Sequence, residues 1–351
     1  MKKSRILTKI LTLGILGAGT SWAAEADDIS KLVTGQDGMV FSWEQGLTAA
    51  FPEDAKPFEA RMHGGFNEDV DTGIVYTGIP GYGLCSISAD LKTWTRIGDD
   101  GRLKGNIHGI VVFKHKGQTL IALAQQGDQR VLVVDLAGKV LQDIRKPTGS
   151  EFTFEAANAF YKNPKANFAV TDVTYMDGKI YAVTGYSPGD FVLTLEDKDG
   201  TWSWGNVAWG GKGSQPGQFK TAHGVFAHDG HIYVANRESY RVEKFSPDGK
   251  LVESLKDIPN GSKVCNVAFD GKHFIFCPLS KVGNQASAPI YAHSGENLVS
   301  TIIPGDLKIP ILNNIHHAWP HTVKAADGST QLYILVHGWN KGKYAVLKQQ
   351  K

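Results

Sequence analysis

A unit of alternating apolar residues, a Gly-centred turn, a second apolar strand and a third strand ending at another turn recurs along most of this chain. That recurrence limits the fold more than any other feature, because period-2 apolar patterning broken by turn residues specifies short half-buried strands. The clearest copy runs from His223 to Leu255, HGVFAHDGHIYVANRESYRVEKFSPDGKLVESL. Within it, His231 to Val234 reads as the second strand, Arg241 to Phe245 as the third and Lys250 to Glu253 as the fourth. Four antiparallel strands make one blade of a propeller. The last turn recurs near Gly138, Gly200, Gly249 and Gly295, a spacing of about 50 residues that suits blade repeats. Inner-strand starts read HGGFNE from His63, HGIVVF from His108, DVTYMD from Asp172, HGVFAH from His223, NVAFDG from Asn266 and HTVKAA from His321. Six units predict an all-β, six-bladed β-propeller of four-stranded antiparallel blades.

The ends of the chain read differently. Lys2, Lys3, Arg5 and Lys9 precede an apolar run from Ile10 to Ala18, and Ser21-Trp22-Ala23 supplies small residues for cleavage. Residues 1–23 are therefore expected to be a signal peptide, with a mature chain that is periplasmic or secreted and has no membrane anchor. Residues 24–58 form an N-terminal segment that would add an outer strand to close the ring, and 59–351 a single propeller domain. The stretch 148–167 breaks the period and is expected to be a short helical insertion over the mouth. A formal net charge of +2 over 351 residues argues against a nucleic-acid or anionic-membrane partner. The expectation is a monomer acting on a small molecule or peptide.

Cys265 and Cys277 flank VCNVAFDGKHFIFC, centred on Gly271. A symmetric hairpin there would oppose the two sulfurs, and in an exported protein they are expected to be bridged; the alternative is two buried small apolar side chains. Cys85 has no evident partner.

His108, His223 and His321 stand at the same repeat position on alternate units. In a six-bladed ring such positions lie about 120° apart around the axis. Three imidazoles converging from three directions form the ligand set of a catalytic zinc, which keeps one coordination position open. Iron, copper and nickel accept the same donors, and a structural calcium is a second candidate ion. A strand-start histidine can instead simply bond to the neighbouring blade. His63 occupies the corresponding position in the first unit and would line the cavity. His316 and His317 offer a competing local group, although adjacent residues of an extended strand point to opposite faces.

The segment Gly213 to Phe245, GSQPGQFKTAHGVFAHDGHIYVANRESYRVEKF, resembles an NHL repeat. More narrowly, residues 105–350 resemble peptidyl-α-hydroxyglycine α-amidating lyase, whose six-bladed propeller holds an axial zinc through three histidines. The resemblance implies a catalytic tyrosine at Tyr186, in IYAVTGYSPGD, and a carboxylate-binding arginine at Arg237, in VANRES. It implies zinc on the substrate hydroxyl, proton removal by the tyrosine and cleavage of a carbinolamide into an amide and glyoxylate. The chain departs from the family at Thr322, Trp319 and Ser187, and it has no first-blade arginine matching the family's second one. Two other classes remain: a non-catalytic NHL propeller that binds a peptide, glycan or protein, and a lactonase-like hydrolase.

Overall fold

The computed structural model describes residues 28–310, 312–339 and 341–351; the expected signal segment lies outside them. Its strands pair into five four-stranded antiparallel sheets and one five-stranded sheet. The innermost strands are Phe66–Glu68, Ile107–His115, Asp172–Met176, Ala222–His228, Val264–Phe269 and Ile315–Lys324. Each packs against the next, and the last returns to the first, so the six sheets close into a propeller. The expected fold is the observed one.

Local sequence explains why each blade folds back on itself. Asp177-Gly178 and Asp229-Gly230 link the first two strands of the third and fourth blades with positive φ at both residues, 50° and 80° in one turn and 47° and 70° in the other. That pair of angles is the two-residue hairpin turn whose twist matches the strands.

Apolar side chains fill the spaces between blades rather than one central core, as in Val111, Ala122, Val133, Val173, Ala182 and Leu193 between the second and third. The axis is consequently left to the first residues of the inner strands.

The sixth blade joins the two ends of the described chain. Ile315–Lys324, Thr330–Gly338 and Tyr344–Gln349 come from the C-terminal part, while Met39–Trp43 and Thr34–Gln36 come from the N-terminal part. Phe41, Ser42 and Trp43 pair with Gln349, Lys348 and Leu347. The N-terminal segment thus contributes two strands. Between the second and third blades, the helix Glu155–Tyr161 buries Ala157 and Tyr161 with Phe168 and Phe191. This is the period-breaking insertion, and its apolar face is spent in the cleft between blades. Among the described residues, no helix is long and apolar enough to cross a membrane.

Candidate metal centre and its surroundings

Four inner strands begin with the same irregularity. Ile107 pairs with Gln125 and Gly109 with Ala124, so His108 is skipped by the ladder. Ala222 and Gly224 skip His223 in the same way, Val264 and Asn266 skip Cys265, and Ile315 and His317 skip His316. A bulge leaves its extra residue unpaired and re-aims the side chain. Gly109 and Gly224 follow two of these histidines because the next blade presses close: a Cβ on Gly109 would lie 2.5 Å from the Asp172 Cα, and one on Gly224 2.4 Å from the Cys265 carbonyl oxygen.

The bulges bring His108, His223 and His316 together from the second, fourth and sixth blades, and His63 joins them from just before the first. Ring centroids are 4.9 Å apart for His108 and His223, 4.8 Å for His108 and His316, and 4.8 Å for His223 and His316. His63 is 4.2 Å from His108 and 4.4 Å from His316. Nitrogen atoms of His63, His108 and His316 all lie within 4.8 Å of one another.

His321 does not take part. It lies further along the sixth-blade inner strand, with Nδ1 2.8 Å from Glu68 Oε2 and Nε2 2.8 Å from the Ala89 carbonyl oxygen. Both nitrogens are held by these partners at the seam between the sixth and first blades, away from the axial imidazoles. The expected convergence of His321 with His108 and His223 is therefore corrected: His316 stands at the axis in its place, with His63 beside it. The sixth inner strand starts at Ile315, not at His321. His317, the neighbour of His316, points elsewhere: its Nδ1 lies 3.4 Å from the Phe66 amide, which donates to it.

Hydrogen bonding sets the state of the cluster. The Nδ1 of His108 faces the Thr171 carbonyl, and that of His223 lies 2.8 Å from the Cys265 carbonyl. A carbonyl can only accept, so each Nδ1 carries the proton and each Nε2 keeps its lone pair. The Nδ1 of His63 lies 3.2 Å from Asn106 Oδ1, whose amide nitrogen donates in turn to Gln126 at 3.0 Å. Burial pushes the His63 imidazole down to about 4, and holds His108, His223 and His316 well below the ordinary histidine range. All four are neutral near pH 7, the form that binds a metal.

Of these nitrogens, Nε2 of His63, Nε2 of His108 and both nitrogens of His316 are buried with no hydrogen-bond partner. A buried polar atom without a partner costs about 1–3 kcal/mol, and several such atoms aimed at one another fit a shared cation.

Tyr186 and Arg237 adjoin the cluster. The Tyr186 hydroxyl lies 3.1 Å from His223 Nε2 and accepts from Arg237 NH1 at 2.9 Å. Because His223 Nδ1 already carries the proton, its Nε2 accepts from the hydroxyl. Burial raises the Tyr186 phenol, and Arg237 opposes that rise. Arg237 also donates through Nε to Glu238 Oε1 at 3.1 Å, and Lys263 holds the other oxygen of Glu238 at 2.7 Å.

The two cysteines of the fifth blade are free thiols. The bulge that skips Cys265 shifts the register by one residue, so Cys277 opposes Asn266 and its sulfur lies 2.6 Å from Asn266 Oδ1. The expected bridge is absent for that reason.

Odd-numbered blades supply a second alternation that the sequence reading missed. Asn67 Oδ1 accepts from the Val112 amide, Asp172 Oδ2 from Val225 and Asn266 Oδ1 from Ala318. Each side chain thereby clamps the inner strand of the next blade, which is a histidine-bearing one.

No protein-family model matches this chain, and no curated protein matches it. Among solved structures, a streptogramin B lyase is similar with a TM-score of 0.49 and 11% identity over 83% of this chain and 93% of that one. The WD40 β-propeller domain of Doa1 gives 0.47 and 11% over 92% and 91%, and YCF48 from Cyanidioschyzon merolae gives 0.44 and 12% over 81% and 81%. At such identities and scores they assign nothing to the site, and the count of blades rests on the strand pairing itself.

Proposed function

We propose that this chain is an exported metal-dependent lyase, acting on a small hydroxylated substrate that carries a carboxylate. One observation carries the reading: neutral imidazoles converge on the propeller axis with Nε2 of His63, Nε2 of His108 and both nitrogens of His316 unpartnered. In this reading His63, His108 and His316 hold one divalent transition ion, zinc being the first candidate. When bound, such an ion lowers the proton affinity of a hydroxyl oxygen.

The remaining roles belong to the Tyr186–Arg237 pair. Arg237 bonds the Tyr186 oxygen and favours its oxyanion against the rise that burial imposes. Tyr186 then takes the proton from the substrate hydroxyl. The C–O bond becomes a carbonyl, the adjacent C–N bond breaks with its electron pair moving to nitrogen, and a proton returns to that nitrogen. For a carbinolamide the products are an amide and glyoxylate. Arg237 is the carboxylate clamp in this reading, a task suited to its planar fork, with Cys265 beside it as the neighbour a carboxylate would displace.

Metal analysis of tag-free protein, followed by glyoxylate release from α-hydroxyhippurate, tests the reading. About one tightly held transition ion per chain, with glyoxylate formed, is the expected result. Metal-free protein that also fails to acquire stoichiometric zinc rejects the centre; a loaded protein inert on α-hydroxyhippurate rejects the carbinolamide assignment.

A further inference from the structure

Trp339 sits at the rim of the imidazole cluster, in the turn after the second strand of the sixth blade. Its ring lies parallel to that of His63, with centroids 5.5 Å apart and planes 15° from each other, and it approaches His316 at 6.4 Å. One aromatic face is thus fixed against the cluster, yet 37% of the residue remains exposed. Indole gains by covering such a face with another flat apolar group. Arg237 reaches the cluster through Tyr186, whose ring lies 5.3 Å from that of His108 and 5.3 Å from the guanidinium carbon.

Asn106 is taken by His63 and Gln126. A polyhydroxylated ligand would need free amide or carboxylate partners beside the ring, whereas an apolar planar one needs only the ring.

Building on the lyase reading, we propose that Trp339 is a substrate-selecting platform: it stacks an aromatic acyl group on a substrate whose carboxylate is taken by Arg237. The reacting carbon then lies between these anchors, over the imidazoles. The site would prefer N-aroyl over N-acetyl substrates of otherwise identical chemistry.

Binding tests this apart from turnover. Hippurate and N-acetylglycine share the amide and the carboxylate, lack the reacting hydroxyl, and differ in the acyl group. Calorimetry on the protein as purified is expected to give hippurate a Kd at least about 10-fold lower, roughly the worth of one well-placed aromatic contact. Trp339→Ala should bring the ratio near one, and Trp339→Phe should keep most of it. Equal affinities in the wild type, a ratio unchanged in Trp339→Ala, or no binding of either compound overturns the proposal. The metal content of the same preparations is read independently, so a full metal complement with no acyl preference would refute the platform while leaving the metal centre intact.

Discussion

Each histidine-bearing inner strand carries a further histidine five to seven residues after the one at its bulge, and the two ends contrast. At one end His108, His223 and His316 converge on the axis, and His108 and His316 keep buried nitrogens without partners. At the other, His115 bonds Asp197 at 2.7 Å and Tyr175 at 3.1 Å, His321 bonds Glu68 and Ala89, and His228 packs on Phe269 with ring centroids 4.0 Å apart. Residue type and strand are the same. What differs is the bulge at the start of the strand, which re-aims the imidazole so that it reaches the axis even where its Nδ1 bonds a carbonyl of the next blade. Histidines that are paired or packed between blades hold the ring together; those left unpaired are available for chemistry.

Substitutions at the two ends should separate these roles. The largest effect is expected at the axis: His108→Ala or His316→Ala should abolish stoichiometric metal while keeping the β-rich circular dichroism, whereas His321→Ala should retain it. Metal lost from His321→Ala and kept in His316→Ala would reverse the contrast. Next, Tyr186→Phe should lower turnover by at least roughly 100-fold with little change in metal content; near-normal turnover on any true substrate would remove its role as base.

A smaller effect is expected at the far end. His321→Ala removes the partner of the Ala89 carbonyl and leaves Glu68 Oε2 with only Trp319 Nε1 at 3.5 Å, a loss of about 1–3 kcal/mol at most. Urea denaturation should show that loss with metal still bound. A midpoint equal to that of the wild type would mean that the seam between the sixth and first blades does not depend on this contact.

The pH response should also follow the axial end. In the folded protein His63 is held near 4, against 6.5 for an ordinary histidine, and the other axial imidazoles lie well below that ordinary value. Between those limits the unfolded chain binds protons at these imidazoles that the folded one does not, so they make stability fall as pH falls from 6.5 toward 4, against the opposite pull of the raised Asp172 and Asp190 carboxyls. Metal-free protein should lose urea resistance across that window, and His316→Leu, with one fewer imidazole to protonate, should lose less. An unchanged slope in the variant would place the acid sensitivity elsewhere. The smallest expected effect is none at all: because Cys265 and Cys277 are free, a reductant should leave Tm unchanged, and a clear drop would mean that they are bridged in solution.

The blades were legible because strand alternation and turn residues are local signals, and five of the six expected starts fall within three residues of the start of an inner strand. The sixth failed because HTV from His321 imitates HGV from His223, although it lies inside a strand of ten residues. A better signal was present. Asn106-Ile107-His108 and Asn314-Ile315-His316 are the same tripeptide, and both place histidine at the bulge. A shift of register by one residue is not visible in apolar alternation, which also explains why the cysteines were expected to face each other. Tyr186 and Arg237 were legible only through family resemblance, since no spacing rule links two loops of different blades. The Asn67, Asp172 and Asn266 clamps left no mark beyond single polar residues at inner positions.

The five-stranded sixth blade makes the axial cluster a late product of synthesis. His316 belongs to the only sheet assembled from both ends of the described chain, so its position is not secured until residues near 349 have emerged and met those near 41. Fragments that stop short can build several good blades and still have no centre. A circular permutation that opened the ring at the Asp199-Gly200 turn of the third blade would change this order, making the sixth blade continuous and leaving the third as the last to close. Metal capture during refolding would then report ring closure from a different seam, with the same atoms around the ion.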